Sequence, residues 1–232
     1  MKLVWSPETA SKAYIDTVKS IKNFKEHSGV AELLSAMAAG WNAKLIVESW
    51  LNGDPIVTSI GLAIAAGHAC GRHVCIVPDE RSKQEYVKAM REYSDVSSPT
   101  PMEVVVGEAE AAMAGLVGVD FLVVDCKRGD FARVLRFAKL GQRGAVLACK
   151  NACQRNVSGF RWHGVLERGT RVVRTVLLPV GKGLDIAHIG STMDIAHIGS
   201  STGGSSGSWK KSPSRWIKHI DARSGEEHVF RG

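Results

Sequence analysis

Five short apolar runs, each separated from the next by a segment of helix length, constrain this chain more than any other feature. They lie at Ala43 to Trp50, His73 to Val77, Glu103 to Val106, Asp120 to Val124 and Ala145 to Cys149. Helices are expected between them, at about Thr58 to Cys70, Glu80 to Tyr93, Glu108 to Gly115 and Asp130 to Leu140. Near-continuous apolar strands alternating with helices are the signature of βαβ units, whose parallel sheet is covered on both faces. The rhythm changes after Asn151. Arg171 to Leu178 and Leu184 to Ile189 read as two strands joined by Val180-Gly181-Lys182-Gly183, and they would pair antiparallel. The expectation is an α/β fold: a doubly wound sheet of five parallel strands closed by an antiparallel hairpin.

Two amphipathic helices precede the sheet. Ser6-Pro7-Glu8 carries an N-cap, a proline suited to the first helical position and an acid that favours the helix dipole. Ala10, Ala13, Tyr14, Val18, Ile21 and Phe24 would form the apolar stripe of the first helix, and Val30, Leu33, Leu34, Met37 and Trp41 that of the second. Residues 1–42 thus read as a helical cap and 43–190 as the sheet core of one domain. The heptapeptide Asp185 to Ser191 recurs as Asp194 to Ser200. Two copies are too few for a stacked repeat, so the first is read as strand and the second as an inserted loop. Residues 191–214 read as a Ser/Gly-rich linker, and 215–232 as a terminal hairpin.

Charge is uneven. Met1 to Cys126 carry 11 Lys/Arg against 16 Asp/Glu, whereas Lys127 to Lys182 carry 13 against 2. The basic stretch suits an anionic partner: a small anionic ligand or a nucleic acid bound through Lys127 to Lys182. No aromatic residues interleave it as a base-stacking platform requires, so a solvated basic face is an equal reading. The five cysteines form no C-x-x-C pair and are expected to be reduced thiols. No apolar run approaches membrane-spanning length. The expected setting is the cytoplasm or nucleus, without a membrane partner, and a homo-oligomer is compatible with all of this.

Several of these residues resemble a known family. The strand Leu45-Ile-Val-Glu48, the strand Asp120 to Asp125 and the turn Leu178-Pro-Val-Gly-Lys-Gly-Leu184 look like the cation-dependent small-molecule O-methyltransferases of the class I S-adenosylmethionine superfamily. Within it the chain looks most like a plant family of uncharacterised function. The likeness runs from about Ser6 to Ile189. It implies a Rossmann-like, seven-stranded sheet with S-adenosylmethionine lying across the carboxyl ends of the first strands. It also implies a cofactor-binding acid at Glu48, followed by a glycine-rich turn. Here that turn reads Ser49-Trp50-Leu51-Asn52-Gly53-Asp54-Pro55, and only Gly53 survives. Trp50 either plugs the site or stacks on adenine once the loop swings aside. Asp79 or Glu80 falls where the family binds the ribose, though Asp79 is equally a natural N-cap. Gly107 and Glu108 fall at the adenine-side turn.

In that family a divalent cation is held by an Asp ending the fourth strand and an Asp-Asn pair ending the fifth. Asp125 and Asn151 match, but Lys150 stands in place of the middle Asp. Lysine cannot ligate magnesium, so no metal is expected. Lys150 would pair with Asp125, or act as a general base. Lys127 and Arg128 fall where the family keeps a basic catalytic residue. The resulting expectation is a metal-independent methyltransferase-like protein acting on a small anionic or carrier-linked acceptor, the alternative being an inactive ligand-binding or partner-binding relative.

Overall fold

The computed structural model describes residues 5–24, 29–93, 103–154, 160–191, 216–220 and 227–231. The chain divides into two compact units, Met1–Ile198 and Gly199–Gly232. The second contains an antiparallel pair, β10 (Trp216–Ile220) and β11 (Glu227–Arg231), in which Trp216 faces Arg231 and Ile220 faces Glu227. This is the terminal hairpin expected from sequence. The second copy of the repeated heptapeptide, most of the 191–214 segment and the apolar contacts of the hairpin lie outside the described residues.

The first unit runs α1 (Pro7–Ile21), α2 (Val30–Gly40), β1 (Leu45–Ser49), α3 (Val57–Ala69), β2 (Arg72–Val77), α4 (Glu80–Tyr93) and β3 (Glu103–Val106). It continues through α5 (Ala109–Ala114), β4 (Val117–Val119), β5 (Phe121–Asp125), α6 (Phe131–Phe137), β6 (Lys139–Leu140) and β7 (Ala145–Lys150). A short helix α7 (Trp162–Val165) precedes β8 (Val172–Leu178) and β9 (Leu184–Ile189). Seven strands form one sheet in the order β3-β2-β1-β5-β7-β9-β8. The first five are mutually parallel, and β9 is antiparallel to both β7 and β8. Because β1 lies between β2 and β5, strand order reverses there, and that is where an open α/β sheet leaves a crevice beyond the carboxyl ends of its strands.

Strand alternation sorts the core into two layers. Ile46, Phe121, Val123, Val146 and Ala148 pack on one face with Ala13, Leu34, Ala38 and Leu62 of the first three helices. Val47, Leu122, Val124 and Leu147 pack on the other with Met113, Phe131, Val134 and Leu135. Asp120 fixes the opposite end of the sheet from the crevice. Its Oδ2 accepts the backbone N–H groups of Lys44 at 2.7 Å and Leu45 at 3.2 Å, and its Oδ1 accepts Nε of Arg143 at 3.1 Å.

Two expectations need correction. Ser6 does cap α1, accepting the Thr9 N–H at 3.3 Å, but Tyr14 and Val18 stay 47% and 41% exposed. The buried face is instead Ala10, Ala13, Thr17 and Ile21. The hydroxyl of Thr17 donates to the carbonyl of Ala13 and meets the hydroxyl of Ser35 in α2, both at 2.8 Å, so a polar residue is satisfied where an apolar one was expected. Small side chains let three helices meet closely: a Cβ on Gly61 of α3 would lie 2.8 Å from the backbone oxygen of Ala31. The second correction concerns α6, which ends at Phe137 rather than Leu140. Ala138 turns extended, and Lys139 and Leu140 pair with Val117 and Val119 as a separate two-stranded ribbon.

Candidate functional site

The crevice at the strand-order reversal is built from chain ends that the sheet register brings together. Asp125 ends β5 and Lys150 ends β7, and the two are direct neighbours in the parallel register. Asn151 follows with φ +56, and the next residues are tied down by Ala152 N–H to Gly183 O at 2.9 Å and Cys153 N–H to Lys182 O at 3.0 Å. The close fit requires glycine at 183, where φ is +87 and a Cβ would meet the thiol of Cys153 at 2.5 Å. This docking brings the β8–β9 turn, with Gly181 and Lys182, to the edge of the crevice.

A cavity of about 350 Å³ results. Gly53, Asp54, Asp125, Lys127, Lys150 and Asn151 line it, with Ile21, Val30 and Ala31 of the first two helices opposite. The structure thus brings together the four catalytic candidates and one of the cofactor-binding ones. The ion pair expected between Lys150 and Asp125 is not formed. Asp125, which is buried, accepts Nδ2 of Asn151 at 2.7 Å on one oxygen and the Lys127 N–H at 2.9 Å on the other. Among the described residues no carboxylate lies within 4 Å of the Lys150 ammonium, although that residue is only 7% exposed. Asp54 accepts the Leu51 N–H at 3.1 Å. Burial pushes its carboxyl above the ordinary range, with the charge of Asp125 adding to the rise and Lys150 opposing it.

Beneath the cavity, Glu48 is 1% exposed at the end of β1. Its Oε1 accepts the hydroxyl of Tyr86 at 3.0 Å and lies 3.1 Å from Nε2 of His73. Burial alone would raise this carboxyl, but the hydrogen bond and charge of His73, with the charge of Lys150, bring it below its ordinary value. Trp50 is 3% exposed and meets Tyr86 edge to face at 5.3 Å, in a cluster with Ile56, Ile60 and Met90. Its backbone N–H bonds to the Ile76 carbonyl at 2.9 Å. The indole N–H of Trp50, the hydroxyl of Ser49 and Nη1 of Arg128 are all buried without a hydrogen-bond partner. The other side of the Arg128 guanidinium grips Asp130 at 2.9 and 3.0 Å.

The remaining cofactor candidates lie apart from the cavity lining. Asp79 caps α4, accepting the Ser82 N–H at 2.7 Å, and that bond holds its carboxyl below the usual range. Glu80 reaches Lys83 at 3.4 Å, and Glu108 reaches Arg133 at 3.4 Å. Gly107 has φ +147 and bonds through its N–H to Val77 O at 2.9 Å. Sequence reasoning missed His73, Tyr86 and Asp54. Only His73 left a trace, as a polar residue opening an apolar run.

The fold is similar to that of solved methyltransferases. A methyltransferase from Geobacter sulfurreducens is 22% identical with TM-score 0.54, the match covering 80% of this chain and 91% of that one. The O-methyltransferase TomG from Streptomyces achromogenes, solved with SAM, is 21% identical with TM-score 0.53, covering 82% and 92%. An O-methyltransferase from Bacillus cereus, solved with SAH, is 17% identical with TM-score 0.54, covering 81% and 93%. No curated protein sequence matches the chain. Over residues 1–232 it matches the model of the family described as protein of unknown function (DUF1442), and it belongs to that family. Among the described residues, no helix is long and apolar enough to cross a membrane.

Proposed function

We propose that this protein binds S-adenosylmethionine across the carboxyl ends of β1 and β5 and methylates a small anionic or carrier-linked acceptor without a divalent cation. The observation that carries the reading is the group of buried donors lacking acceptors around that crevice: Ser49 Oγ, Trp50 Nε1 and Arg128 Nη1. Each unmet buried donor costs about 1–3 kcal/mol, and natural proteins keep few of them. These atoms stand at or just beyond the ends of β1 and β5 and outside the cavity lining, so a ligand rich in carboxylate, hydroxyl and ring-nitrogen acceptors would meet them once the turn after β1 opens. In this reading Glu48, Trp50, Gly53 and Gly107 hold the cofactor, which supplies an electrophilic methyl group. Asp79, Glu80 and Glu108 serve at the ribose and adenine end, once freed from their present partners. Asp125, Lys127, Lys150 and Asn151 position the acceptor, since aligning acceptor and methyl group is the main demand of such a transfer.

The donor set does not fit a divalent cation. Both oxygens of Asp125 are taken by donors, and a buried ammonium stands beside them. The burial of Trp50 against Tyr86 favours a second reading, in which the indole fills the cofactor site of a non-catalytic binding protein. Calorimetric titration with S-adenosylmethionine and S-adenosylhomocysteine separates the two. Saturable heat at micromolar to millimolar ligand is expected, and its absence together with no thermal shift sinks the first reading.

A further inference from the structure

Lys150 differs from Lys127 and Lys182, the other lysines lining the cavity, in its burial. It is more than nine-tenths buried, it lines the 350 Å³ cavity, and among the described residues no carboxylate lies within 4 Å of it. The acids it influences are engaged elsewhere: Asp125 by Asn151 and the Lys127 amide, Glu48 by Tyr86 and His73, Asp54 by the Leu51 amide. A buried charge without a bonded counter-charge is costly and is kept where a ligand completes it. Ile21, Val30, Ala31 and Val57 give the cavity apolar contacts, beside Glu32 and Thr58 of the same helices. The cavity therefore offers one buried positive charge beside apolar contacts, with Lys127 and Lys182 exposed at its edge and Glu32, Asp54 and Asp125 close enough to repel a second negative charge.

We propose that this cavity binds a small monocarboxylate with an apolar body, its carboxylate on the Lys150 ammonium and its body against Val30 and Val57. Lys150 then supplies a fixed charge from the protein itself. A doubly charged phosphate is disfavoured by the neighbouring acids. Treating this ligand as the methyl acceptor rests on the function proposed above, whereas its binding does not.

The test uses 4-fluorobenzoate, followed by fluorine NMR in titrations of the full chain with EDTA and without S-adenosylmethionine. Saturable binding is expected, with the neutral isostere 4-fluorobenzamide bound at least about tenfold more weakly, the usual scale of a charge-assisted hydrogen bond. Lys150→Met should weaken the benzoate about tenfold or more and abolish the preference over the amide, while its thermal midpoint holds or rises. Asp54→Asn removes an opposing charge and should tighten the benzoate several-fold, which keeps the proposal testable if the first variant folds poorly. Wild-type affinity in both variants, equal binding of the amide, equally effective displacement by inorganic phosphate, or no saturable binding would each overturn it. Benzoate binding without S-adenosylmethionine binding in the calorimeter sinks only the methyltransferase reading, and the reverse result sinks only this one.

Discussion

Tyr86 on α4 donates its hydroxyl to Oε1 of Glu48 at 3.0 Å and so ties α4 to the end of β1. Removing that hydroxyl in Tyr86→Phe leaves a buried carboxylate oxygen with His73 as its remaining side-chain hydrogen-bond partner. The expected loss is about 1–3 kcal/mol, read as a lower thermal midpoint with unchanged far-ultraviolet dichroism.

Glu48 also sets an acid limit. Its carboxyl is lower in the folded chain than in the unfolded one, so its contribution is present above the unfolded value and is lost as pH falls through the folded value. Thermal midpoints of wild type and Glu48→Gln should differ most near neutrality and converge toward strong acid. A gap that stays constant with pH would contradict this.

Asp54 has the opposite sign. Burial raises its folded value, so its stability contribution is present in acid and is lost as pH rises through that value. Asp54→Asn keeps an oxygen for the Leu51 N–H and should raise the thermal midpoint at neutral pH, with the gain vanishing in acid. An equal gain at both pH values would point to some other cause.

The sheet was legible because its strands are covered on both faces and read as apolar runs; the five strands expected from Ala43 onward are all present. The joining of Asp125, Lys150 and Asn151 was implied by the family resemblance and not by the apolar runs, which do not say that β5 and β7 are neighbours whose last residues meet. The face of α1 was misjudged because Thr17 is buried through a hydroxyl pair with Ser35, a partner 18 residues away that no helical period reveals. The β4–β6 ribbon escaped notice because strands of three and two residues leave no period to detect. Tyr86 escaped for another reason: its partner Glu48 is 38 residues distant and is reached only after α4 packs against β2 and β3.

At the base of the sheet, Asp120→Ala should remove the acceptor for two backbone amides and for Arg143. With charged acceptor bonds worth about 1.5–3 kcal/mol, denaturant unfolding should show a loss of about 2–4 kcal/mol. Arg143→Ala alone, at the half-exposed end of the pair, should cost under about 1 kcal/mol.

Among the first three helices, Gly61→Ala tests the close approach. Its methyl would sit 2.8 Å from the Ala31 carbonyl, which is backbone and cannot rotate away. A destabilisation of about 1–3 kcal/mol is expected despite the better helix propensity of alanine, and a stabilised variant would show that α2 and α3 can part.

That close approach also decides how a ligand reaches the crevice. Ile21, Val30 and Ala31 are held in a helical layer whose backbones already touch, so this roof cannot lift without breaking the layer. The exposed turn from Leu51 to Pro55 has no such anchor: it is held by the Leu51–Asp54 backbone and side-chain bonds and pivots at Gly53, where φ is +94 and no atom lies within 4 Å of a Cβ. This turn is therefore a segment of the cavity edge that the helical layer does not hold, and a stiffer residue at position 53 is expected to slow ligand exchange more than a change in the core.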